Sequence, residues 1–246
     1  MKRILFIIFI CCSQFIYSQT IVTDRPDQTE ASSIIPLNSL QIEAGVLFQK
    51  TEGIQQNFYP TALWRYGISE IFELRLLTQY ENNSINGATP SIGGLSDLEI
   101  GTKVQLFKKE GVNTEIAFLS HLIIPTAKNE LTNDQLGTIN KLSISHSLSK
   151  SASIGYNIGY NYFGFGSGNL TYSAALGFSL SEKIGFYVEP YGEFVDFNKH
   201  LASFDSGFTY LVNNNLQLDV SYGVGLNYQM NYFSTGFSWN IPKKKQ

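Results

Sequence analysis

The chain has 246 residues, of which 43% are hydrophobic and 15% are charged. Its formal net charge is −3, and this balance gives no reason to expect nucleic acid as a partner. The length allows one large domain or two small ones, and repeated short strands without a helical stretch favour one.

The first residues have the features of a secretory signal peptide. Lys2 and Arg3 form a basic start, the run from Ile4 to Ile10 is apolar, and Ser18 offers a small residue for cleavage. The apolar run is too short to cross a bilayer as a helix, which takes about 20 residues. We therefore expect residues 1–18 to export the protein across the inner membrane of a Gram-negative-type bacterium.

Cleavage of this signal would change the chemistry of the mature chain. Cys11 and Cys12 both lie within it, so the mature protein would form no disulfide and no thiolate metal site. Without the two basic residues of the signal, 15 basic residues remain against 20 acidic ones, a net charge near −5.

From Leu40 onward, apolar side chains alternate with polar or small ones in segments of about ten residues, the period of a strand with two different faces. In the first segment Leu40 and Ile42 point one way, and Gln41 and Glu43 point the other. The pattern predicts about twelve strands and an all-β fold. The approximate predicted spans are 40–49, 57–67, 71–81, 97–107, 113–123, 139–148, 152–162, 168–180, 184–195, 204–212, 215–224 and 231–239.

The predicted connections alternate between short and long. The short polar turns are 67–70, 108–112, 149–151, 181–183 and 212–214, and the longer segments are 50–56, 82–96, 124–138, 163–167, 196–203 and 225–230. Outer-membrane barrels combine an even strand number with short periplasmic turns and longer extracellular loops. The sequence therefore predicts a transmembrane antiparallel up-and-down β-barrel over residues 40–240, located in the bacterial outer membrane. The two longest loops either fold inward or remain solvated.

The two faces of the predicted strands differ in composition. One face mixes charged residues with glycine and serine, and the other carries few charges and many aromatic residues. A soluble barrel points its apolar face inward, whereas aromatic residues such as Trp64 near strand ends are typical of a membrane interface. We therefore expect lipid outside and a polar lumen inside. Trp239 near the end could be recognised by the barrel assembly machinery, although a basic tail, 241–246, follows it.

Nine residues of the polar face are candidates for lining the lumen and setting its selectivity. They are Glu43, Arg65, Glu73, Arg75, Glu99, Lys103, Glu115, His121 and Glu189. These charges could form a constriction that selects solutes by sign, or an ion-pair network that braces a narrow lumen. The histidines show no metal-ligand spacing, and we expect no metal, cofactor or catalytic residue. His146 lies on the predicted lipid face, but the hydroxyl of Ser147 points to the opposite face.

A motif precedes the first strand, in the stretch TDRPDQTEASSIIPLNSLQIEAGVLFQ from Thr23 to Gln49. The stretch resembles the start of a bacterial outer-membrane family labelled "putative MetA-pathway of phenol degradation", whose members are often named transporters. The matching residues are Thr23, Asp24, Arg25, Pro26, Asp27, Thr29, Glu30 and Pro36, followed by Gln41, Ile42 and Glu43. The resemblance implies a barrel that passes small solutes, including aromatic or hydrophobic ones.

The prolines of this motif make residues 19–39 unfavourable for a helix or a paired strand. The motif residues Asp24, Arg25, Asp27 and Glu30 could enter the lumen as a periplasmic plug, or they could belong to a solvated tail.

Three functions remain open from the sequence. The first is a passive channel or transporter for a small solute; no nucleotide motif is present, so passage would follow a gradient. The second is a closed barrel with a structural or surface-binding role, and the third is an outer-membrane enzyme acting on lipid, although we predict that the protein is not an enzyme.

Overall fold

The computed structural model describes residues 20–85 and 90–242. The predicted signal peptide, 1–18, and most of the basic tail lie outside the described residues. Within the described ranges, no helix is long and apolar enough to cross a membrane.

The described residues form strands joined by turns and loops. The strands are β1 (Leu40–Thr51), β2 (Ile54–Ser69), β3 (Phe72–Ile85), β4 (Ile92–Leu95), β5 (Leu98–Lys108), β6 (Thr114–Ile124), β7 (Gly137–Ser147), β8 (Ala152–Tyr162), β9 (Asn169–Ser179), β10 (Ile184–Val195), β11 (Lys199–Asn213), β12 (Leu216–Gly225) and β13 (Met230–Ile241).

These strands close into a single antiparallel barrel. β1 pairs with β2 on one side and with β13 on the other, and each further strand pairs with its neighbours along the chain. The short β4 and the longer β5 both pair with β3, so they share one position in the ring. The barrel therefore has twelve strands, as the alternation predicted. Closure pairs the first strand with the last, so the ring has no open side; in hydrocarbon each unpaired backbone group would cost several kcal/mol.

The longest connections, between β3 and β5, between β6 and β7 and between β8 and β9, lie at one end of the barrel, but several predicted loop bounds are wrong. β1 and β2 continue until a two-residue turn, in which Glu52 and Gly53 have φ angles of 48° and 88°. This is the geometry of a tight hairpin, in place of the predicted loop 50–56. The predicted loops 196–203 and 225–230 likewise shorten to 196–198 and 226–229. The predicted loop 82–96 contains β4, while the connection 125–136 remains long.

The barrel is polar inside and apolar outside. On β2, Arg65 is fully buried, whereas its neighbours Trp64 and Tyr66 are 38% and 43% exposed. Phe178 and Phe186 stack side by side on the outside of β9 and β10, with ring centroids 6.4 Å apart. An apolar exterior around a charged interior is the reverse of a water-soluble barrel, and it is the arrangement predicted for a barrel in a membrane.

Candidate functional site in the lumen

The N-terminal segment, residues 20–39, runs inside the barrel. It enters at the short-turn end, where the Ile21 amide donates to the carbonyl of Asn214 at 2.9 Å. It leaves at the same end, where the Asn38 amide donates to the carbonyl of Gly67 at 2.8 Å. Between these points it reaches Thr29, which is 5% exposed and shares a 2.7 Å hydrogen bond with Ser173 on β9. The segment therefore forms a loop within the short-turn half of the lumen.

Carboxylates of the barrel wall accept hydrogen bonds from the backbone of this segment. Glu43 on β1 accepts from the amides of Asp24 and Arg25, both at 2.9 Å. Glu73 on β3 accepts from the amide of Ile35, also at 2.9 Å. Buried amides need a partner, and hydrogen bonds to a charged acceptor are stronger than neutral ones. The wall thus replaces the strand pairing that a proline-containing segment lacks.

One carboxylate of the segment is shared by three cations of the wall. Asp24 lies 2.6 Å from Nη1 of Arg75, 2.9 Å from Nζ of Lys103 and 3.2 Å from Nη1 of Arg65. Burial alone would raise the pKa of Asp24, but the charges of Arg65, Lys103 and Arg75 together hold that pKa well below its usual range. We call these four residues the Asp24 cluster, and it joins the segment to β2, β3 and β5.

A second ion pair fixes the segment to the opposite side of β1. The Arg25 guanidinium makes two hydrogen bonds to Asp219 on β12, at 2.8 and 3.2 Å. It lies against Gly45 and Gly236, where an added Cβ would stand 2.6 Å from Nη2 of Arg25. The two paired glycines therefore leave the space that the guanidinium occupies.

The far wall carries two buried carboxyl groups. Glu189 on β10 accepts hydrogen bonds from the Gln28 amide, at 2.7 Å, and from the Thr29 hydroxyl. Asp205 on β11 is directly opposite Glu189 in the strand register, and both residues are fully buried. Among the described residues, no Lys, Arg or His lies within 4 Å of either carboxyl group. We call these two residues the Glu189–Asp205 pair.

The predicted site residues all lie on the inner face, in three groups. The first group surrounds Asp24 and contains Glu43, Arg65, Glu73, Arg75 and Lys103, with His121 beside them and Glu99 3.1 Å from Nδ1 of His121. The second is Glu115, which pairs with Lys108 at 3.0 Å near the short-turn rim. The third is Glu189, across the lumen. In the predicted N-terminal motif, Glu30 binds Arg75 at 2.9 Å, and Asp27 and Pro26 border a cavity at the short-turn end.

Six inner-face residues around the segment or its binding partners were missing from the predicted set of lumen-lining residues. They are Asn157, Ser173, Tyr187, Asp205, Asp219 and Tyr232. Asp219 could have been found, because its parity in β12 matches the polar face. Tyr187 and Tyr232 could not, because aromatic residues were assigned to the lipid face, yet both are buried inside at 6% and 2% exposure.

Cavities lie on both sides of the segment. One, of about 180 Å³, is lined by Gln28 of the segment and by Lys141, Asn161, Tyr191 and Tyr228 of the barrel and its long-loop end. Another, of about 400 Å³, is bordered by Thr23, Asp27, Ser153 and Tyr187 toward the short-turn end. The segment separates these two spaces, which we call the upper cavity and the lower cavity.

This combination of a closed twelve-stranded barrel and an inserted N-terminal motif can be compared with known proteins. The profile of the family described as "Putative MetA-pathway of phenol degradation" matches residues 23–241. The chain belongs to this family. The match includes both the motif that enters the lumen and the last strand.

Three solved structures show the same fold. An outer membrane channel from Pseudomonas putida F1 is 12% identical, with a TM-score of 0.67 over 85% of this chain and 98% of that one. The KdgM porin in complex with disordered oligogalacturonate is 10% identical, with a TM-score of 0.60 over 81% and 98%. The NanC porin is 10% identical, with a TM-score of 0.54 over 82% and 100%. No curated protein matches the sequence. The family member described here therefore has the barrel fold of outer-membrane channels and porins.

His146, the histidine considered as a catalytic candidate, forms hydrogen bonds with two hydroxyl groups. His146 on β7 shares hydrogen bonds with the Thr114 hydroxyl at 2.8 Å and the Tyr156 hydroxyl at 3.0 Å. Among the described residues no carboxylate forms a hydrogen bond with its ring, and Ser147 is on the other face. Within the described ranges, no group of three or more His, Cys, Asp or Glu residues has the geometry of a metal site.

Proposed function

We propose that this protein is a passive outer-membrane channel for small solutes, closed in the present conformation by its N-terminal segment. The observation that carries the proposal is the pair of cavities separated by that segment. Ion pairs and hydrogen bonds hold the segment in place, while the barrel wall stays closed around it. Movement of the segment toward the short-turn end would join the upper and lower cavities into one path, with lipid covering the apolar outer face.

The lining of the upper cavity indicates the kind of solute. Tyr191 and Tyr228 present aromatic rings, and Lys141 and Asn161 present polar groups beside them. Tyrosine rings stack on other rings while polar groups orient the substituents. This lining suits a small ring compound with polar substituents, and the phenol-degradation description of the family agrees with it.

Single-channel recording in planar bilayers tests the proposal, with the wild type compared with Asp24→Asn. The change removes the charge shared by three buried cations, and loss of one partner of a buried pair costs about 3–5 kcal/mol. We expect the wild type to open rarely and the variant to open at least about 100-fold more often. The matched control is Asp134→Asn, which makes the same change in an exposed loop.

A second comparison shows whether ions pass the Asp24 cluster. In the Asp24→Asn background, Lys103→Met removes one wall cation and should shift ion selectivity toward cations. Folded and inserted barrels that stay silent in every variant would overturn the channel proposal. That outcome would favour a closed barrel with a structural or surface-binding role, which the filled short-turn half of the lumen would also suit.

A further inference from the structure

The Glu189–Asp205 pair differs from Glu43, Glu73 and Asp219, three other buried acidic side chains of the inner wall. Elsewhere on this wall Glu43, Glu73 and Asp219 each contact an arginine within 3 Å. The pair, in contrast, has no cation within 4 Å among residues 20–85 and 90–242. Like charges directly opposite on adjacent strands destabilise a sheet, and two unpaired buried charges cost several kcal/mol each. Ionising both carboxyl groups at the same time in this arrangement would therefore cost much free energy.

The hydrogen bonds around the pair show where a proton would lie. Both oxygens of Glu189 accept hydrogen bonds, from the Gln28 amide and the Thr29 hydroxyl, so Glu189 acts as the ionised partner. Oδ2 of Asp205 accepts from the Tyr232 hydroxyl, but its buried Oδ1 has no partner. The two residues are directly opposite each other on adjacent strands, which places their Cβ atoms about 4.5–5.5 Å apart and lets one proton be shared between their side chains. A proton on Oδ1 of Asp205, donated to Glu189, satisfies the unpartnered oxygen and removes the repulsion.

We propose that the Glu189–Asp205 pair is a proton-binding site whose bound proton holds the N-terminal segment in the lumen. The proton comes from water, sits on Oδ1 of Asp205 and returns to water when the segment leaves. The proposal rests on the proposed function, because it makes the opening of the channel depend on pH.

Among the titratable groups that face the pair, Asp27 acts in the same direction, toward a bound proton. The titratable groups around the pair are Asp27 of the segment, Tyr187 and Tyr191 of β10, Tyr232 of β13, Tyr228 of the β12–β13 connection and Lys141 of β7. Lys141 is directed toward Glu30 of the segment, at 3.9 Å. Burial and the charge of Glu189 raise the pKa of Asp27 well above its ordinary range, so this group also favours the protonated state.

The sign of the pH dependence follows from comparing proton binding when the segment is seated in the lumen with proton binding after it has left. When the segment leaves, water reaches the pair and its carboxyl groups return to ordinary pKa values near 4. A group that binds its proton more tightly in the seated state stabilises seating at low pH and loses this contribution as the pH rises. Asp24 has the opposite sign, since its lowered pKa weakens seating only in strong acid. The segment should therefore be released progressively as the pH rises.

A spin label on the segment measures this release directly. Val22 is 46% exposed, so a nitroxide at Val22→Cys, with Cys11 and Cys12 replaced by serine, should leave the seated contacts intact. We expect the mobile fraction in the electron paramagnetic resonance spectrum to grow from about pH 5 to about pH 8. In Asp205→Asn the side-chain amide donates permanently to Glu189, and the label should stay immobile throughout. The control is Glu193→Gln on β10, the strand of Glu189, where Asn169 donates to Glu193 at 2.7 Å; this variant should keep the pH response.

A wild type without a pH response, or a response that Asp205→Asn leaves unchanged, would overturn the proposal. Infrared spectroscopy of the refolded wild type gives a test that needs no variant to fold. A protonated-carboxyl C=O band should persist at neutral pH and disappear on the alkaline side, and its absence at neutral pH would also overturn the proposal. Neither measurement depends on conductance, so a silent barrel with both signals would refute the channel and leave the proton site standing.

Discussion

At the residue scale, the contact between Arg25 and Asp219 depends on the planar fork of a guanidinium, and it can be tested without changing charge. Arg25→Lys keeps the cation but loses one of the two hydrogen bonds to Asp219. We expect the amides of Asp24 and Arg25, which bind Glu43, to exchange with solvent about tenfold faster, corresponding to about 1.4 kcal/mol. Hydrogen exchange read by NMR or mass spectrometry measures this.

The control for this change is the surface pair between Lys108 and Glu115, 3.0 Å apart with the lysine 56% exposed. Lys108→Arg alters the same kind of cation at an exposed site, where ion pairs contribute about 0–1 kcal/mol. It should leave the exchange of the segment unchanged. Equal exchange rates in the wild type and Arg25→Lys would contradict the role given to Arg25.

The inner-face residues could be assigned from the sequence, but their partners could not. Parity along each strand placed Arg65 and Glu189 on the polar face. The pairing of Glu189 with Asp205 depends on the register between two strands, and a single sequence leaves that register open. The position of Asp24 depends on tertiary contacts with three strands, so the motif was compatible with a plug and with a solvated tail.

At the element scale, β5 and β6 pack closely at a position where one residue has no side chain. Gly101 is opposite His121 in the register, and a Cβ on Gly101 would overlap the imidazole ring. That ring accepts a 3.0 Å hydrogen bond from Nε of Arg75 and lies 3.1 Å from Glu99. Gly101→Ala should therefore displace the ring and destabilise the barrel by about 1–3 kcal/mol, as measured by denaturant unfolding in lipid vesicles.

Gly177→Ala is the matched control for this substitution. There an added Cβ would meet only Ser153, with 3.3 Å to its hydroxyl oxygen, so the unfolding midpoint should move little. If both alanine variants unfolded at the wild-type midpoint, the close approach of His121 to β5 would not be a feature of the folded protein.

Strand number could be predicted at this scale, whereas several strand ends could not. The alternation of apolar and polar residues exists only where one face meets an apolar environment. Beyond that zone the ladder continues, with Gln49 opposite Gln56 and Lys50 opposite Gln55, but both faces are polar. The pattern therefore ends before the hydrogen bonds do, and the hairpin at Glu52 and Gly53 was predicted as a longer loop.

At the scale of the whole molecule, the inverted barrel and its inserted segment depend on each other. Twelve strands enclose a space too large for their own inner side chains to fill, and the charged wall cannot be left without counter-ions. The segment fills the short-turn half and supplies Asp24 to the cations and Arg25 to Asp219. Removing the whole segment would expose these charges to water together, so the segment and the wall compensate each other electrostatically.

The apolar exterior leads to a prediction about depth. Val220 lies midway along β12, and Tyr210 lies near the short-turn end of β11; their side chains face outward at 36% and 46% exposure. An arginine on the lipid face costs about 2–4 kcal/mol at the midplane of the bilayer and about 0–1 kcal/mol near an interface. Val220→Arg should therefore destabilise the barrel folded in vesicles far more than Tyr210→Arg, as measured by denaturant titration. Equal costs at the two positions would mean that hydrocarbon does not cover this face, because a water-exposed arginine would be insensitive to depth.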